Sequence, residues 1–221
     1  MKFAVSHVHA WAPGIATKED WSRWKAGDVQ IQNEKISPAL EFADPLFKRR
    51  LSQITRMTIQ TIHDVLEERP DCASSKIAFV SFRGELERQL SINKMLLQDN
   101  GISPAGFSLS VFNTPVAAAS IALHLKSGYS VIYPSRGNFQ DALICAASPV
   151  LCGEEQNIIF VYADEKIPGE YSGIAPGGCL PFSFAAVLSR PEEANRAVEI
   201  SLEHLPQSPQ DFLKETVLSE E

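Results

Sequence analysis

The strongest architectural signal in this chain is the segment Ser110–Gly137, SVFNTPVAAASIALHLKSGYSVIYPSRG. Proline is favoured in the first turn of a helix, so Thr114-Pro115 marks a helix start, and the small residues that follow predict a helix over 113–126. Tyr129–Tyr133 predicts a short strand. The segment therefore predicts a helix, a strand and a sharp turn into another helix.

The turn after this strand is Tyr133-Pro134-Ser135-Arg136-Gly137, and it contains no cysteine. Asn138 and Asp141 then predict the capped start of a helix that runs through Ala147. Arg136, Gly137 and Asn138 could bind an anion at this helix start, or could serve only as its cap.

Strands and helices alternate along the rest of the chain. Asp44-Pro45 gives a helix N-cap followed by proline, and apolar residues at helical spacing predict one helix from there to Leu66. The other predicted elements are strands over Lys2–Val8, Lys76–Phe82, Asn157–Ala163, Leu180–Leu188 and Ala197–Glu203, and helices that follow Thr17, span Glu85–Asp99 and begin at Ser208-Pro209. This alternation predicts an α/β sandwich with a mixed sheet.

Composition limits the classes of function. The chain has 221 residues, enough for a substantial core, and its 44% hydrophobic and 21% charged residues are ordinary globular values. The formal net charge of −7 disfavours nucleic acid as a partner. Four scattered cysteines predict neither a disulfide framework nor a zinc site, and we expect no cofactor. Because there is no 18-residue apolar run and no convincing signal peptide, we expect no membrane insertion and a cytoplasmic location.

Short motifs follow one another along almost the whole chain. They are Trp11-Ala12-Pro13-Gly14, Lys48-Arg49-Arg50-Leu51-Ser52, Arg83-Gly84-Glu85-Leu86, Ser103-Pro104 and Phe107-Ser108-Leu109-Ser110-Val111-Phe112-Asn113. With the order of elements, they resemble the N-terminal half of the thiolase-like condensing enzymes, and more closely the short β-ketoacyl synthase-like N-terminal domain proteins. The resemblance implies a thiolase-like layered α/β fold, N-terminal half only, with a mixed sheet flanked by helices. One departure is Phe112, because the residue before Asn113 is often histidine in this group.

The resemblance also implies a partner role. In β-ketoacyl synthases the turn after the strand carries the nucleophilic cysteine, and the second half of the enzyme carries two histidines, or a histidine and an asparagine. Condensation needs a thiolate to capture the acyl group and imidazoles to stabilise the developing charge. Here Ser135 stands in a turn without cysteine, so the resemblance implies no catalytic residue in this chain.

The implied function is that of a non-catalytic subunit like the chain-length factors of aryl polyene ketosynthases. Such a subunit pairs with a full-length β-ketoacyl-ACP synthase as a heterodimer and works with acyl carrier protein. It helps to shape the tunnel for the acyl or polyene chain in polyketide or fatty-acid-type biosynthesis. The same resemblance implies a ketosynthase-like domain over 1–206 and a C-terminal extension over 207–221, as a short helix or tail.

The resemblance further implies which residues lie at the tunnel and the interface. The strand Tyr129–Tyr133 is expected to pair across the dimer axis, and the segment before the alanine-rich helix is expected to line the tunnel. The implied residues are Phe107, Val111, Phe112, Asn113, Tyr129, Val131 and Tyr133. Aromatic bulk there would stop a chain from growing, because a packed interior has no volume for added carbons. The alternative is that Phe107, Val111 and Phe112 fill the chain's own core.

Three other hypotheses stay open at this point. The chain could be an acyl hydrolase or malonyl decarboxylase that uses Ser135, although serine needs an adjacent base and the turn is not a GxSxG elbow. It could be a scaffold for acyl carrier proteins, since the basic cluster Lys48-Arg49-Arg50 is either a docking site for an acidic partner or a solvated helix start. His7 and His9 share one strand face and could form a metal pair, but no third ligand is evident and a structural role is the simpler interpretation.

Overall fold

The computed structural model describes residues 1–15, 17–99, 101–135, 138–173, 179–193 and 197–216, which form six β-strands and eight α-helices. The strands are β1 (Lys2–Trp11), β2 (Lys76–Val80), β3 (Tyr129–Ile132), β4 (Asn157–Asp164), β5 (Phe182–Ser189) and β6 (Val198–Ser201). The helices are α1 (Lys18–Ala26), α2 (Pro45–Lys48), α3 (Gln53–Glu68), α4 (Leu86–Asp99), α5 (Pro104–Ser108), α6 (Thr114–Ala122), α7 (Phe139–Leu151) and α8 (Pro209–Thr216). Among these helices, none is both long and apolar enough to cross a bilayer.

The strands join in one mixed sheet, in the order β3-β2-β4-β5-β1-β6. β2 is parallel to β3 and to β4, whereas β5 is antiparallel to β4 and β1, and β6 is antiparallel to β1. β3 and β6 are therefore the edge strands. The predicted mixed sheet flanked by helices is confirmed.

Helices cover both faces of the sheet, and alternate residues of each central strand point to opposite faces. In β2, Ile77 and Phe79 join a hydrophobic cluster with residues of α3 and α6. Ala78 and Val80 join a second cluster, which contains residues of α1, α7 and α8. Burial on both faces explains why β2, β4 and β5 are near-continuous apolar runs.

The single helix predicted from Asp44 to Leu66 is wrong, because the chain forms two helices there. Asp44 caps α2 as predicted, accepting hydrogen bonds from the Leu46 and Phe47 amides at 2.8 and 3.0 Å. α2 ends at Lys48, whose carbonyl accepts a 2.7 Å hydrogen bond from the Arg56 guanidinium. Ser52 then caps α3 by accepting from the Thr55 amide at 3.2 Å. Tertiary hydrogen bonds thus interrupt an apolar pattern that is helical on both sides of the break.

Several predicted boundaries also move. β1 continues beyond Val8 to Trp11 through a bulge, in which His7 adopts a φ of +48°. α6 ends at Ala122, and His124 two residues later has a φ of +56°, which a continuing helix does not allow. α7 runs past Ala147 to Leu151. The short helix α5 was not expected from the sequence.

The C-terminal helix α8 is part of the core. Phe212 and Leu213 are fully buried, and the Phe212 ring stacks on Phe184 with 4.9 Å between ring centroids. A short helix therefore begins the predicted extension 207–221, and it packs on the same sheet face as α7. Residues 217–221 lie outside the described part of the chain, and the division into 1–206 and 207–221 stays a prediction.

Candidate functional site

The turn after β3 lies at the carboxyl edge of the parallel strands, where α/β proteins commonly hold ligands. Ser135 is exposed in this turn, and its hydroxyl has no hydrogen-bond partner among the described residues. Asn138 caps α7 as predicted, accepting from the Asp141 amide at 3.4 Å. Arg136 and Gly137, which complete the predicted turn and the possible anion site, lie outside the described residues.

The histidines occupy other parts of the described structure. His7 Nδ1 and His9 Nε2 lie 3.3 and 3.1 Å from Glu68 Oε2, at the C-terminal end of α3. Burial raises the pKa of the Glu68 carboxyl, but the two imidazoles outweigh it and the pKa is lower than usual. His63 stacks on Phe42 with 3.7 Å between the ring centroids. Within the described ranges, no group of three or more His, Cys, Asp or Glu side chains is arranged to hold a metal ion.

The structure brings together most of the residues expected at the tunnel or interface. The Phe112 ring packs edge-to-face on Tyr133, with 4.9 Å between centroids. Asn113 Nδ2 donates a 3.1 Å hydrogen bond to the hydroxyl of Tyr129. We call Phe112, Asn113, Tyr129 and Tyr133 the edge cluster. It joins the segment before α6 to the edge strand β3.

Exposure separates the expected residues into two groups. Phe107 is 55% exposed, Val111 is also exposed, and Tyr133 is 64% exposed. The hypothesis that Phe107 and Val111 fill the core of this chain therefore does not hold. Val131 differs, because it is half-buried and packs against the hydrophobic cluster of α3 and α6.

A buried carboxylate, which the sequence analysis did not single out, organises the ends of β2 and β4. Asp164 Oδ1 accepts from the Ser81 hydroxyl at 2.7 Å and from the Phe82 and Arg83 amides at 3.2 and 3.1 Å. Its Oδ2 accepts from Arg83 Nη1 at 2.9 Å and from the Tyr162 hydroxyl at 2.8 Å. We call this set the Asp164 network.

Burial dominates the electrostatics of the Asp164 network. It raises the pKa of Asp164 above its usual value, although the Arg83 guanidinium and the hydrogen bonds to the carboxylate oppose the shift. Burial also raises the pKa of Tyr162 well above its usual value, and the adjacent carboxylate adds to that shift. Every oxygen of the Asp164 carboxylate has hydrogen-bond donors, as a buried charge requires.

A second buried carboxylate, Glu165, follows Asp164 in the chain. Its Oε1 accepts a 2.9 Å hydrogen bond from the Glu87 amide in the first turn of α4, whereas its Oε2 is buried without a partner in the described structure. Burial raises the pKa of Glu165 to about 8, and the carboxylates of Glu85 and Glu87 add to the increase. Glu165 is therefore protonated in the folded chain at neutral pH.

The basic cluster Lys48-Arg49-Arg50 divides into two roles. The Lys48 ammonium donates to the carbonyls of Ala39 and Leu40 at 3.1 and 3.0 Å, so Lys48 supports the fold. Arg49 and Arg50 are exposed and have no acidic partner among the described residues. Both line a cleft of about 540 Å³, together with Arg88.

Two further basic residues, Arg88 and Lys35, line this cleft, which we call the basic cleft. Arg88 is held by the buried carboxylate of Glu85, with 3.2 Å between Nε and Oε2. Lys35 also lines the cleft and is paired with Glu87. Arginines outnumber acids at the wall, although the chain as a whole is acidic, which favours an acidic ligand.

The sequence contains a signal for Asp164 and Glu165, the two buried carboxylates that the sequence analysis did not predict. Asp164 is the last residue of the near-continuous apolar strand β4 and Glu165 follows it, at the edge of the sheet where polar side chains converge. Their partners could not be inferred, because Ser81 lies 83 residues from Asp164 in the chain. Only the order of strands brings β2 next to β4.

A protein-family model described as the β-ketoacyl synthase N-terminal domain matches residues 21–217. No curated protein is significantly similar to the chain in sequence. Among solved structures, a chain of the complex between the ketosynthase ApeO and its chain length factor ApeC from Xenorhabdus doucetiae is 26% identical. It superposes with a TM-score of 0.73 over 86% of this chain and 79% of that one.

Two more distant structures share the architecture. The ishigamide ketosynthase/chain length factor matches with a TM-score of 0.66 and 13% identity, over 90% of this chain and 66% of that chain. The AntDE:AntF complex, an acyl-carrier protein with its ketosynthase bound to the hexaketide, matches with a TM-score of 0.65 and 13% identity, over 87% of this chain and 64% of that chain. The fold is thus the thiolase-like α/β fold of ketosynthases, of which this chain covers the N-terminal half.

The raised pKa of Glu165 makes stability depend on pH. From about pH 4.5 to 8 the unfolded chain has released this proton while the folded chain keeps it, so the folded state loses about 1.4 kcal/mol of stability per pH unit. Below this range both states hold the proton, and above it neither does. Glu165→Gln, which mimics the protonated side chain, should remove this slope, so its stability relative to the native chain should increase with pH.

The measurement is urea unfolding of both proteins at several pH values across this window. Glu203→Gln, a change at an exposed glutamate, is the matched control and should leave the pH dependence as it is. Parallel curves for the native chain and Glu165→Gln would contradict the assignment of a buried, protonated Glu165.

Proposed function

The chain belongs to the family of β-ketoacyl synthase N-terminal domains, and from that premise we propose that it is the non-catalytic, chain-length-factor-like subunit of a heterodimeric ketosynthase. Its partner is a full-length β-ketoacyl-ACP synthase in the cytoplasm. Together they extend acyl chains of the aryl polyene type, and this chain supplies part of the tunnel wall.

The observation that carries the proposal is the turn after β3. In the turn where condensing enzymes hold a cysteine, this chain has Tyr133-Pro134-Ser135-Arg136-Gly137, without cysteine, and Ser135 has no hydrogen-bonded base among the described residues. Decarboxylative condensation needs a thiolate that becomes acylated and groups that stabilise the enolate and the oxyanion. A ketosynthase fold combined with a turn that lacks cysteine supports the role of a subunit whose partner performs the reaction.

The edge strand β3 supports pairing with another subunit. Among the described residues β3 pairs only with β2, and Tyr129 in β3 and Tyr133 just beyond it are exposed. An uncovered edge strand is a template for addition of a further strand, and aromatic residues are enriched at protein interfaces. We assign the edge cluster to the surface that meets the ketosynthase.

The residues before α6 support a role at the tunnel wall. Phe107 and Val111 are exposed, so they present apolar surface without being needed in the core of this chain. Phe112 is half-buried and packs against Tyr133. A ring in this position would set the depth of a neighbouring tunnel, because packed aromatic volume leaves no space for further carbons.

The basic cleft supports contact with acyl carrier protein. Carrier proteins are acidic, and Arg49 and Arg50 stand exposed at the cleft without acidic partners in the described structure. An arginine fork can also bind a phosphate, such as that of a phosphopantetheine arm, by two parallel hydrogen bonds. We therefore assign carrier-protein docking to Arg49 and Arg50, and a structural role to Lys48.

The proposal is tested by co-expression with a full-length aryl polyene ketosynthase and native mass measurement of the product. We expect a complex with both chains, condensation of acyl units by the complex, and no turnover by this chain alone. Ser135→Ala in this chain should leave condensation unchanged, whereas replacing the cysteine of the ketosynthase should abolish it. Release of free acid by the isolated chain, lost in Ser135→Ala, would favour the hydrolase hypothesis instead.

Phe112→Ala should lengthen the products of the complex by about one extension unit, because it removes a ring from the proposed wall. Mass spectrometry of released chains provides the measurement. Phe47→Ala is the matched control: Phe47 is also half-buried, but it packs against the cluster of α3 and α6, so product length should stay as in the native complex. An unchanged distribution of product lengths with Phe112→Ala would show that Phe112 does not limit the length of the chain.

Reversing the charge of both exposed arginines, Arg49→Glu with Arg50→Glu, should weaken binding of acyl carrier protein to the complex by about tenfold. The effect should shrink at high salt, since exposed charges are screened. Titration by fluorescence anisotropy of labelled carrier protein measures it. Lys18→Glu with Lys25→Glu, on the exposed side of α1, changes the net charge equally and should have little effect.

A further inference from the structure

The tight turn between β2 and α4 is fixed by hydrogen bonds from within the core. Ser81 Oγ accepts from the Gly84 amide at 2.8 Å and from the Arg83 amide at 3.3 Å, and donates to Asp164. Gly84 is buried and has a φ of +59°, a backbone conformation that disfavours other residues. The Asp164 network therefore decides where the Gly84 backbone lies.

The Phe112 ring occupies the space where a side chain at position 84 would lie. A Cβ at position 84 would lie 2.8 Å from Cδ2 and 2.9 Å from Cε2 of the Phe112 ring, distances that real Cβ atoms do not tolerate. The other side of the contact is the edge-to-face packing of Phe112 on Tyr133. Phe112 is thus seated between a glycine held by the core and an exposed tyrosine of the edge cluster.

We propose that Gly84 is a positioning residue that sets how far the Phe112 ring projects toward the edge cluster, and thereby the length of the acyl chain that the complex releases. This inference rests on the proposed function, because it takes Phe112 as part of the tunnel wall. The core has no spare volume, so a side chain at position 84 pushes the ring outward, toward the exposed Tyr133. When the Phe112 ring is displaced outward, the tunnel beside it is shorter and accepts a shorter acyl chain.

Gly84 differs from Gly27, which also has a positive φ, in what surrounds it. Gly27, which ends α1, has a φ of +88°, and a Cβ there would meet nothing within 4 Å. Gly27→Ala therefore carries the backbone strain alone, whereas Gly84→Ala carries strain and a collision with Phe112. Comparing these two variants separates the effect of lost stability from the effect of displacing the Phe112 ring.

The experiment compares four complexes with the ketosynthase: Gly84→Ala, Gly27→Ala, Phe112→Ala, and the double variant Gly84→Ala with Phe112→Ala. Both single glycine variants should lower the midpoint of thermal unfolding, Gly27→Ala by about 2–8 °C and Gly84→Ala by more. Only Gly84→Ala should shift products toward shorter chains. The double variant should give the product length of Phe112→Ala alone, because without the ring the added methyl group has nothing to displace.

The outcomes are distinguishable. Unchanged products from an assembled Gly84→Ala complex would overturn the inference, and so would an equal shift in the presence and absence of the Phe112 ring. If Gly84→Ala alone does not assemble, the double variant decides: recovery of assembly supports the collision, and continued failure overturns it. Failure of the native chain to bind any ketosynthase would instead overturn the proposed function itself.

Discussion

The buried carboxylate of Asp164 holds together the carboxyl ends of β2 and β4, next to the turn that leads to Gly84. Donors from Ser81, Phe82, Arg83 and Tyr162 surround it, so a charge that would be costly in an apolar core is fully paired. The same bonds fix the turn that leads to α4. From there, packing continues through Gly84 to Phe112 and to the edge strand. Removal of one partner would leave a buried group unsatisfied and loosen this whole region.

The proposed role separates the scaffold of a condensing enzyme from its chemistry. The fold still provides the edge strand β3 and the capped helix α7 that follows it. Neither element depends on sulfur, because β3 is held by its pairing with β2 and α7 begins at the Asn138 cap. A subunit can therefore lose the nucleophile, keep its shape, and serve as one wall of a site that another chain completes.

Much of the fold could be predicted from local patterns, since caps and apolar periodicity act over a few residues. The helix that starts after Thr17 and the strands β2, β4 and β5 are examples. The split between α2 and α3 was not predictable, because Arg56 reaches back to the Lys48 carbonyl across the break. At the site, the exposed residues of the edge cluster were expected from the family resemblance. The Asp164 network depends on which strands are neighbours, and that information does not lie in any short segment.

The edge strand β3 carries no charged residue, and only its four-residue length and Pro134 just beyond it limit further pairing. Natural sheets usually guard such an edge with lysines, bulges or a covering helix. Under the proposed function, a surplus of this chain over the ketosynthase would leave that edge open to association with other copies. The cell therefore has reason to produce the two subunits in matched amounts, and recombinant preparations of the lone chain should require the same care over stoichiometry.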